Sequence, residues 1–190
     1  GVEVRKGGKT FRWTGKYMDN MNDRETLDIH LNVLGDFEPK LSDAARESKY
    51  VFLANGGVDM QLSVLDQCPN AKMRVADTMD LWITTQREKL LELLKRIDGL
   101  VLNDSEAILL TGDKNVVRSG KKILDMGPRF VVIKRGEHGA MFVSADHIFV
   151  LPAYPTADVI DPTGAGDSFA GGMMGHLAAN DLDADPDSMK

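Results

Sequence analysis

The sequence predicts an α/β protein in which helices cover both faces of a mostly parallel sheet, with a small antiparallel β-sheet attached. From residue 36 onward, short apolar runs alternate with amphipathic stretches, as successive strand–helix units require. Before that point, residues 26–34 alternate apolar and polar side chains, which is the period of a half-exposed strand. We therefore divide the chain into two parts, residues 1–35 and residues 36–190.

The first part is predicted to be a strand pair with one wet face. "KTFRWTGKY" is the partner of "TLDIHLNVL", and "DNMND" is the turn between them. Alternation in the second strand places four apolar side chains on one side: Leu27, Ile29, Leu31 and Val33.

The second part is predicted to alternate strands and helices. The predicted strands are 50–54, 72–77, 99–103 and 129–134, followed by a hairpin of "GAMFV" and "HIFVL". The predicted helices cover 59–68, 87–98, 104–112, 116–127 and a last stretch that begins near Ala165. The helix at 87–98 has an apolar face of Leu90, Leu91, Leu94 and Ile97, and Gly112 closes the next helix.

Composition and charge narrow the classes of protein. The chain is 43% hydrophobic and 27% charged with a formal charge of −6, which disfavours nucleic acid and anionic membranes as partners. Its single cysteine, Cys68, excludes an internal disulfide framework. No apolar run reaches the length of a membrane span and no signal peptide opens the sequence, so we expect a cytoplasmic protein.

Polar residues mark the carboxyl ends of the predicted strands, where parallel sheets bind their ligands. Asp77, Asn103 and Lys134 each end a predicted strand, and the loop 161–167 follows the hairpin. We therefore expect these positions to meet at one edge of the sheet.

The segment "DPTGAGDSFAGG" (161–172) predicts an anion site at a helix start. Unpaired N–H groups at a helix N-terminus attract anions, and Gly164 and Gly166 leave their backbone open to close approach. Asp167 at the same point is suited to accept a proton from an attacking hydroxyl. The alternative is that Asp167 is only an N-cap and the glycines only form a tight turn. Further glycines inside the helix, at 171, 172 and 175, indicate close packing or close ligand approach.

The same segment resembles the C-terminal signature of the PfkB/ribokinase family of sugar and nucleoside kinases. "NDSEA", "VVIKRGEHGAMF" and "VLPAYPTADVIDPTGAGD" resemble further family elements in the family's order, so the resemblance covers nearly the whole chain. It implies a ribokinase-like three-layer α/β/α fold with residues 1–35 as part of a lid. It further implies ATP, Mg²⁺ and a small sugar or nucleoside as ligands, and a homodimer contact through the lid.

The resemblance also assigns roles to residues. It implies Asp167 as catalytic base and Gly164, Ala165 and Gly166 as the anion hole. Nucleotide and Mg²⁺ contacts fall on Asn103, Glu106, Lys134 and Gly136, and a loop for a monovalent cation such as K⁺ falls on Asp161 and Thr163. Glu106 as a capping-box acid, Lys134 as a solvated strand end and a loop that binds no cation remain the alternatives.

The sequence departs from the family in three respects. The family's first strands, with their substrate-binding residues, precede the region that matches Gly1, and the family continues past the region that matches Lys190. "VADTMDLWI" lacks the arginine with which some family members recognise acidic sugars. We therefore expect weak or no phosphotransfer from this chain alone, and a non-catalytic nucleotide-binding or regulatory module is the alternative function.

Other motifs carry less weight. "GGKT" (7–10) lacks the first glycine of a P-loop, and "GAGDSF" lacks the third glycine of a dinucleotide fingerprint. The four histidines have no metal-ligand spacing. Trp82 is expected to be a packing residue, with a place in a substrate cleft near Asp77 as the alternative.

Overall fold

The chain forms a six-stranded sheet and a separate two-stranded sheet in a computed structural model that describes residues 3–21 and 24–183. The larger sheet contains β3 (Tyr50–Leu53), β4 (Met73–Asp77), β5 (Gly99–Asn103), β6 (Phe130–Lys134), β7 (Ala140–Ser144) and β8 (Ile148–Leu151). Its strands lie in sequence order, parallel from β3 to β6 and antiparallel from β6 to β8. The predicted strands, and the hairpin at the end, are confirmed.

The strands are buried on both faces, which explains their continuous apolar sequences. In β6, Val131 and Ile133 join one core cluster, whereas Phe130 and Val132 join the other. The first cluster also contains the buried side chains of the helices between β3 and β7, and the second contains Ala170, Met174 and Leu177 of the last helix. The sheet is therefore the middle of three layers.

The helices agree with the predictions in place more than in length. They are α1 (Asp43–Arg46), α2 (Val58–Gln67), α3 (Asp80–Thr85), α4 (Arg87–Leu94), α5 (Asp104–Thr111), α6 (Val116–Leu124) and α7 (Ala165–Ala179). The short helices α1 and α3 have no counterpart among the predicted helices. Gly112 adopts a left-handed conformation, with φ of 71°, directly after α5, as its position predicted.

Helix α4 is shorter than predicted and buries Leu93 in addition to most of the predicted face. It ends at Leu94 because Asp98 turns back onto the sheet, where its carboxylate accepts the Arg74 N–H at 2.8 Å. Leu90, Leu94 and Ile97 of the predicted face are buried, and Leu91 is partly buried against the same core cluster. Helix α6 likewise ends at Leu124, and turn residues lead on to Gly127.

The two-stranded sheet, which we call the β ribbon, pairs β1 (Arg12–Tyr17) with β2 (Arg24–His30) in antiparallel register. The second strand is shorter than predicted, because residues Asn32–Leu34 form a 3₁₀ helix instead of continuing the alternation. Leu27 is 57% exposed, so the predicted apolar face is not uniformly covered. Asn22 and Asp23 of the predicted turn, and the outer limits of both predicted parts, lie outside the described residues.

The end of α7 is tied to the start of the sheet. The Tyr50 hydroxyl donates to the Leu182 carbonyl oxygen at 2.8 Å, and Lys72 Nζ lies 3.2 Å from a carboxylate oxygen of Asp181. These contacts fix the direction in which α7 crosses its face of the sheet. Within the described residues, no helix has both the length and the apolar character that crossing a bilayer requires.

Candidate active site

Three polar residues end neighbouring parallel strands and meet at one edge of the sheet, as predicted. Asp77 is the last residue of β4, Asn103 of β5 and Lys134 of β6. Asn103 and Lys134 are direct partners in the β5–β6 register. The carboxyl edge of the sheet therefore carries an acid, an amide and an amine side by side.

Asn103 and Glu106 form a reciprocal capping box at the start of α5. The Asn103 side-chain oxygen accepts the Glu106 N–H at 2.8 Å, and Glu106 Oε2 accepts the Asn103 N–H at 2.8 Å. The capping role considered for Glu106 is therefore confirmed. It occupies Oε2 and leaves Oε1 available to other groups at the edge of the sheet.

Glu106 is a buried carboxyl group, only 5% exposed. Burial is the main cause that raises its pKa to about 7, and the negative charge of Asp77 acts in the same direction. The Asn103 N–H, Lys134 and Arg24 partly oppose this shift by stabilising the charged form. A carboxyl group with a pKa near neutrality is common at functional sites, although ion-pair networks also produce such shifts.

Lys134 links Asp77 to the start of α7. Lys134 Nζ lies 3.6 Å from Asp77 Oδ2, and a Cβ atom added to Gly166 would lie 2.9 Å from the same ammonium nitrogen. Asp77 is 5% exposed, and burial raises its pKa although Lys134 and the Thr78 N–H oppose that effect. The absent side chain at Gly166 is what lets the ammonium group lie against the helix start.

Helix α7 begins without a side-chain cap. Its N-cap residue is Gly164, in a left-handed conformation with φ of 82°, and no side chain of this residue can accept a helix N–H. Asp167 is the third helical residue and is exposed, so it is not the N-cap that was considered as the alternative. The Ala165 N–H donates to the Pro162 carbonyl oxygen at 3.1 Å. The helix start thus combines its other backbone N–H groups, the ammonium group of Lys134 and one exposed carboxylate.

The remaining predicted residues lie in the segment that follows Lys134 and in the loop before α7. Gly136 begins the one-turn 3₁₀ helix Gly136–His138 that connects β6 to β7. Asp161 Oδ1 accepts the Thr163 N–H at 2.9 Å in the loop before α7. Hydrogen bonds from Thr163 lower the pKa of Asp161. This pair therefore shapes the loop that leads to Gly164.

One expectation about packing needs correction, and another is confirmed. Among the described residues, nothing lies within 4 Å of a Cβ added at Gly171, Gly172 or Gly175, so close packing within the chain does not explain these glycines. Trp82 is 6% exposed and donates to Asn55 Oδ1 at 2.9 Å, as a packing residue does. It also borders a cleft of about 390 Å³, whose lining contains none of Asp77, Glu106 and Lys134.

The β ribbon contributes two residues that the sequence patterns did not single out. The Tyr17 hydroxyl lies 3.2 Å from Thr163 Oγ1, and an Arg24 guanidinium nitrogen lies 3.8 Å from Glu106 Oε1. No motif marks either residue, because both contacts join segments more than 80 positions apart in the chain. The site therefore has a side that comes from the ribbon.

The three-layer sheet with its attached ribbon is a ribokinase-like fold. The ribokinase of Thermotoga maritima matches 98% of this chain with a TM-score of 0.73 at 20% identity, over 61% of its own chain. The adenosine kinase of Anopheles gambiae matches 93% of this chain with a TM-score of 0.79 at 20% identity, over 59% of its chain. At these identities the likeness concerns the fold alone.

The pfkB family of carbohydrate kinases matches residues 19–185, and the chain belongs to that family. The cytidine kinase of Thermococcus kodakarensis is 34% identical over 91 residues, which cover 47% of this chain and 32% of that kinase. Fructokinase-2 of Zea mays is 28% identical over 114 residues, which cover 60% of this chain and 32% of the relative. The matched regions thus span about a third of these relatives' length.

Proposed function

We propose that this chain carries the phosphoryl-transfer centre of an ATP-dependent kinase whose acceptor is a hydroxyl group of a sugar or a related small molecule. The observation that carries the proposal is the uncapped start of α7, with the Lys134 ammonium group against Gly166 and the exposed Asp167 in the first turn. An anion held at such a helix start lies beside a base that can activate the attacking hydroxyl. Membership in a kinase family supports the same reaction class.

In the proposed reaction, Asp167 accepts the proton of the acceptor hydroxyl as its oxygen bonds to the γ-phosphorus of ATP. The bond between that phosphorus and the β–γ bridging oxygen breaks, and ADP leaves with its electron pair. Backbone N–H groups of the segment Gly164, Ala165 and Gly166 stabilise the negative charge on the transferred phosphoryl group, and the Ala165 N–H would have to leave the Pro162 carbonyl oxygen to take part. The chemistry is mainly positioning and electrostatics, which fits a site of this composition.

Lys134 and Gly136 are assigned to the nucleotide phosphates or ribose, and Asn103 and Glu106 to Mg²⁺ through its waters. Glu106 Oε1 is outside the capping box and lies 3.8 Å from an Arg24 guanidinium nitrogen, so a metal-bound water would share this oxygen with Arg24. Mg²⁺ usually keeps several waters and one or two carboxylates, so this donor set fits the ion, which would offset the charge of the phosphates. Asp161 and Thr163 are proposed to border a K⁺ site.

Sugars are the proposed acceptors and nucleosides the second candidate, because the matched relatives include a fructokinase and a cytidine kinase. A thermal-shift panel of ribose, fructose, cytidine and adenosine on the complete protein separates the two classes. A ligand at 100 times its Kd stabilises the fold by about 2.7 kcal/mol. Shifts with the nucleosides alone would replace the sugar assignment.

The assignment of Asp167 is tested by Asp167→Asn in the complete protein. Loss of the base is expected to lower kcat by about 10²- to 10⁴-fold, with the affinity for ATP changed less than about twofold. Coupled-enzyme turnover and calorimetric ATP titration measure the two quantities. Asp146→Asn, in the exposed turn between β7 and β8, is the matched control and is expected to keep wild-type turnover.

Near-normal turnover in the Asp167→Asn variant would show that another group accepts the proton. ATP binding without turnover in the complete wild-type protein would instead favour a nucleotide-binding or regulatory module. The 190-residue chain assayed alone is expected to show weak or no turnover, because its matched regions span only part of the relatives.

A further inference from the structure

One rung of the β ribbon reaches both loops of the candidate site. Tyr17 and Arg24 are direct partners in the antiparallel register, so their side chains leave the ribbon on the same face. Tyr17 contacts Thr163 in the loop before α7, at 3.2 Å between the hydroxyl oxygens. Arg24 contacts Glu106 at the start of α5, at 3.8 Å. A single rung therefore spans the gap between the anion site and the capping box.

A contact within the ribbon orients the Arg24 side chain. Its guanidinium group lies 5.7 Å from the centre of the Trp13 ring, a cation–π distance. The Trp13 ring occupies the space above Gly15 that a side chain there would fill, and its indole N–H donates to Thr26 Oγ1 at 3.2 Å. Trp13 thus holds the guanidinium group on the side of the ribbon that faces Glu106.

The contact between Arg24 and Glu106 places a positive charge at a site that is rich in carboxylates. The sheet and α7 bring three carboxylates to the site, Asp77, Glu106 and Asp167, and Lys134 is paired with the first of them at 3.6 Å. Arg24 adds a second cation from the ribbon, directed at a carboxylate whose side chain is only 7% exposed. Pairing a buried carboxylate with a cation offsets part of the cost of burying its charge.

We propose that the Tyr17–Arg24 rung is the docking point that holds the β ribbon over the candidate active site and positions Glu106 and Thr163. Both residues are positioning residues, because they act through the capping box and through the loop before α7. The inference rests on the proposed kinase function for its catalytic consequence, but the docking itself is a property of the protein without ligands.

Hydrogen exchange of the ligand-free complete protein tests the docking. Arg24→Met keeps the length of the side chain and removes its charge, and Tyr17→Phe removes only the hydroxyl group. Each is expected to raise exchange in residues 12–30 and 161–166 by about two- to fivefold, the range of a partly exposed ion pair or hydrogen bond. Arg24→Lys is expected to restore part of the protection because it keeps the charge.

Matched controls separate docking from general loosening of the ribbon. Arg12→Met changes an exposed arginine at the other end of β1, and Tyr154→Phe changes a tyrosine that is 91% exposed. Both are expected to leave exchange unchanged. The proposal would be overturned if Arg24→Met and Tyr17→Phe exchange at the wild-type rate. It would also be overturned if Arg12→Met accelerates exchange as much as they do.

Turnover tests the catalytic consequence separately. In the complete protein, Arg24→Met is expected to lower kcat/KM for the acceptor by about tenfold, with partial recovery in Arg24→Lys and no change in Arg12→Met. If hydrogen exchange shows that the ribbon of Arg24→Met is undocked but kcat/KM is unchanged, the positioning role is overturned. If the wild type transfers no phosphate, the kinase proposal fails while the exchange result still decides the docking.

Discussion

Glu106 combines a structural and a chemical position in one side chain. Oε2 closes the capping box of α5 while Oε1 faces Arg24, and the group is buried between them. Its pKa of about 7 means that near neutral pH the protein holds a mixture of charged and uncharged Glu106. The charged form is the one that burial disfavours, so ionisation of this residue costs folding stability.

This gives a prediction for the pH dependence of folding. Because burial raises the folded-state pKa of Glu106 to about 7, the folded protein binds more protons than the unfolded chain between the two pKa values, and stability falls as pH rises through that window. Glu106→Gln keeps an acceptor for the Asn103 N–H and removes the ionisation. From about pH 5 to about pH 8, its unfolding free energy is expected to rise relative to wild type by on the order of 2 kcal/mol.

Urea unfolding at several pH values, without added metal or nucleotide, measures this difference. Asp104→Asn is the matched control, because Asp104 is a half-buried acid in the same helical turn. A difference between Glu106→Gln and wild type that does not change with pH would contradict the raised pKa.

For the helices and strands, the type of each element and its place in the sequence were predictable. Their end residues and buried faces were less so. Buried strands such as β5 and β6 have continuous apolar sequences, and Gly112 marks the end of α5, so local patterns sufficed. The end of α4 depends on Asp98 reaching Arg74, which is a contact with another strand and leaves no local pattern. Helix α1 covers only Asp43–Arg46, too short for a periodic signal.

The start of α7 allows a contrast between two glycines of one helix. In Gly166→Ala, the new Cβ would meet Lys134 Nζ at 2.9 Å, and the ammonium group, as the end of a flexible side chain, would move away. Stability is therefore expected to stay near wild type, while ATP affinity in the complete protein falls about tenfold through loss of a charged contact and close backbone approach. Isothermal titration with ATP and thermal unfolding measure the two effects.

Gly171→Ala is the control within the same helix. Nothing within the described residues lies within 4 Å of its added Cβ, so alanine is expected to stabilise the chain by about 0.5–1 kcal/mol and to leave ATP affinity unchanged. Equal ATP affinity in the Gly166→Ala variant and the wild type would show that the phosphates do not approach this backbone.

At the scale of the whole molecule, the candidate site was predictable as far as it follows one rule. Asp77, Asn103 and Lys134 could be found because each ends a strand of a parallel sheet. Tyr17 and Arg24 could not, because their contacts with Thr163 and Glu106 depend on how the ribbon lies over the sheet. The order of elements determines the first set, and only the packed structure reveals the second.

The contact between Tyr50 and Leu182 joins the first strand of the larger sheet to the segment that follows α7. Tyr50→Phe removes the hydroxyl group that donates to the Leu182 carbonyl oxygen at 2.8 Å. Unfolding free energy is expected to fall by about 1 kcal/mol. Chemical denaturation measures the change, with Tyr154→Phe as the exposed control. A loss no larger than in the control would mean that the Tyr50 hydroxyl group does not help to hold the end of α7.

The pairing of Asn103 with Lys134 makes the site sensitive to errors in folding. Side chains alternate between the faces of a strand. A slip of β6 by one residue would therefore turn the side chains that face each core cluster toward the other cluster, and would turn Lys134 away from Gly166. A misregistered chain could keep its helices and much of its compactness, but it would lack the cation at the helix start. Under the proposed function, a phosphate-bearing ligand would bind the correctly paired sheet in preference, and retention on immobilised ATP would sort properly folded molecules from near-native ones.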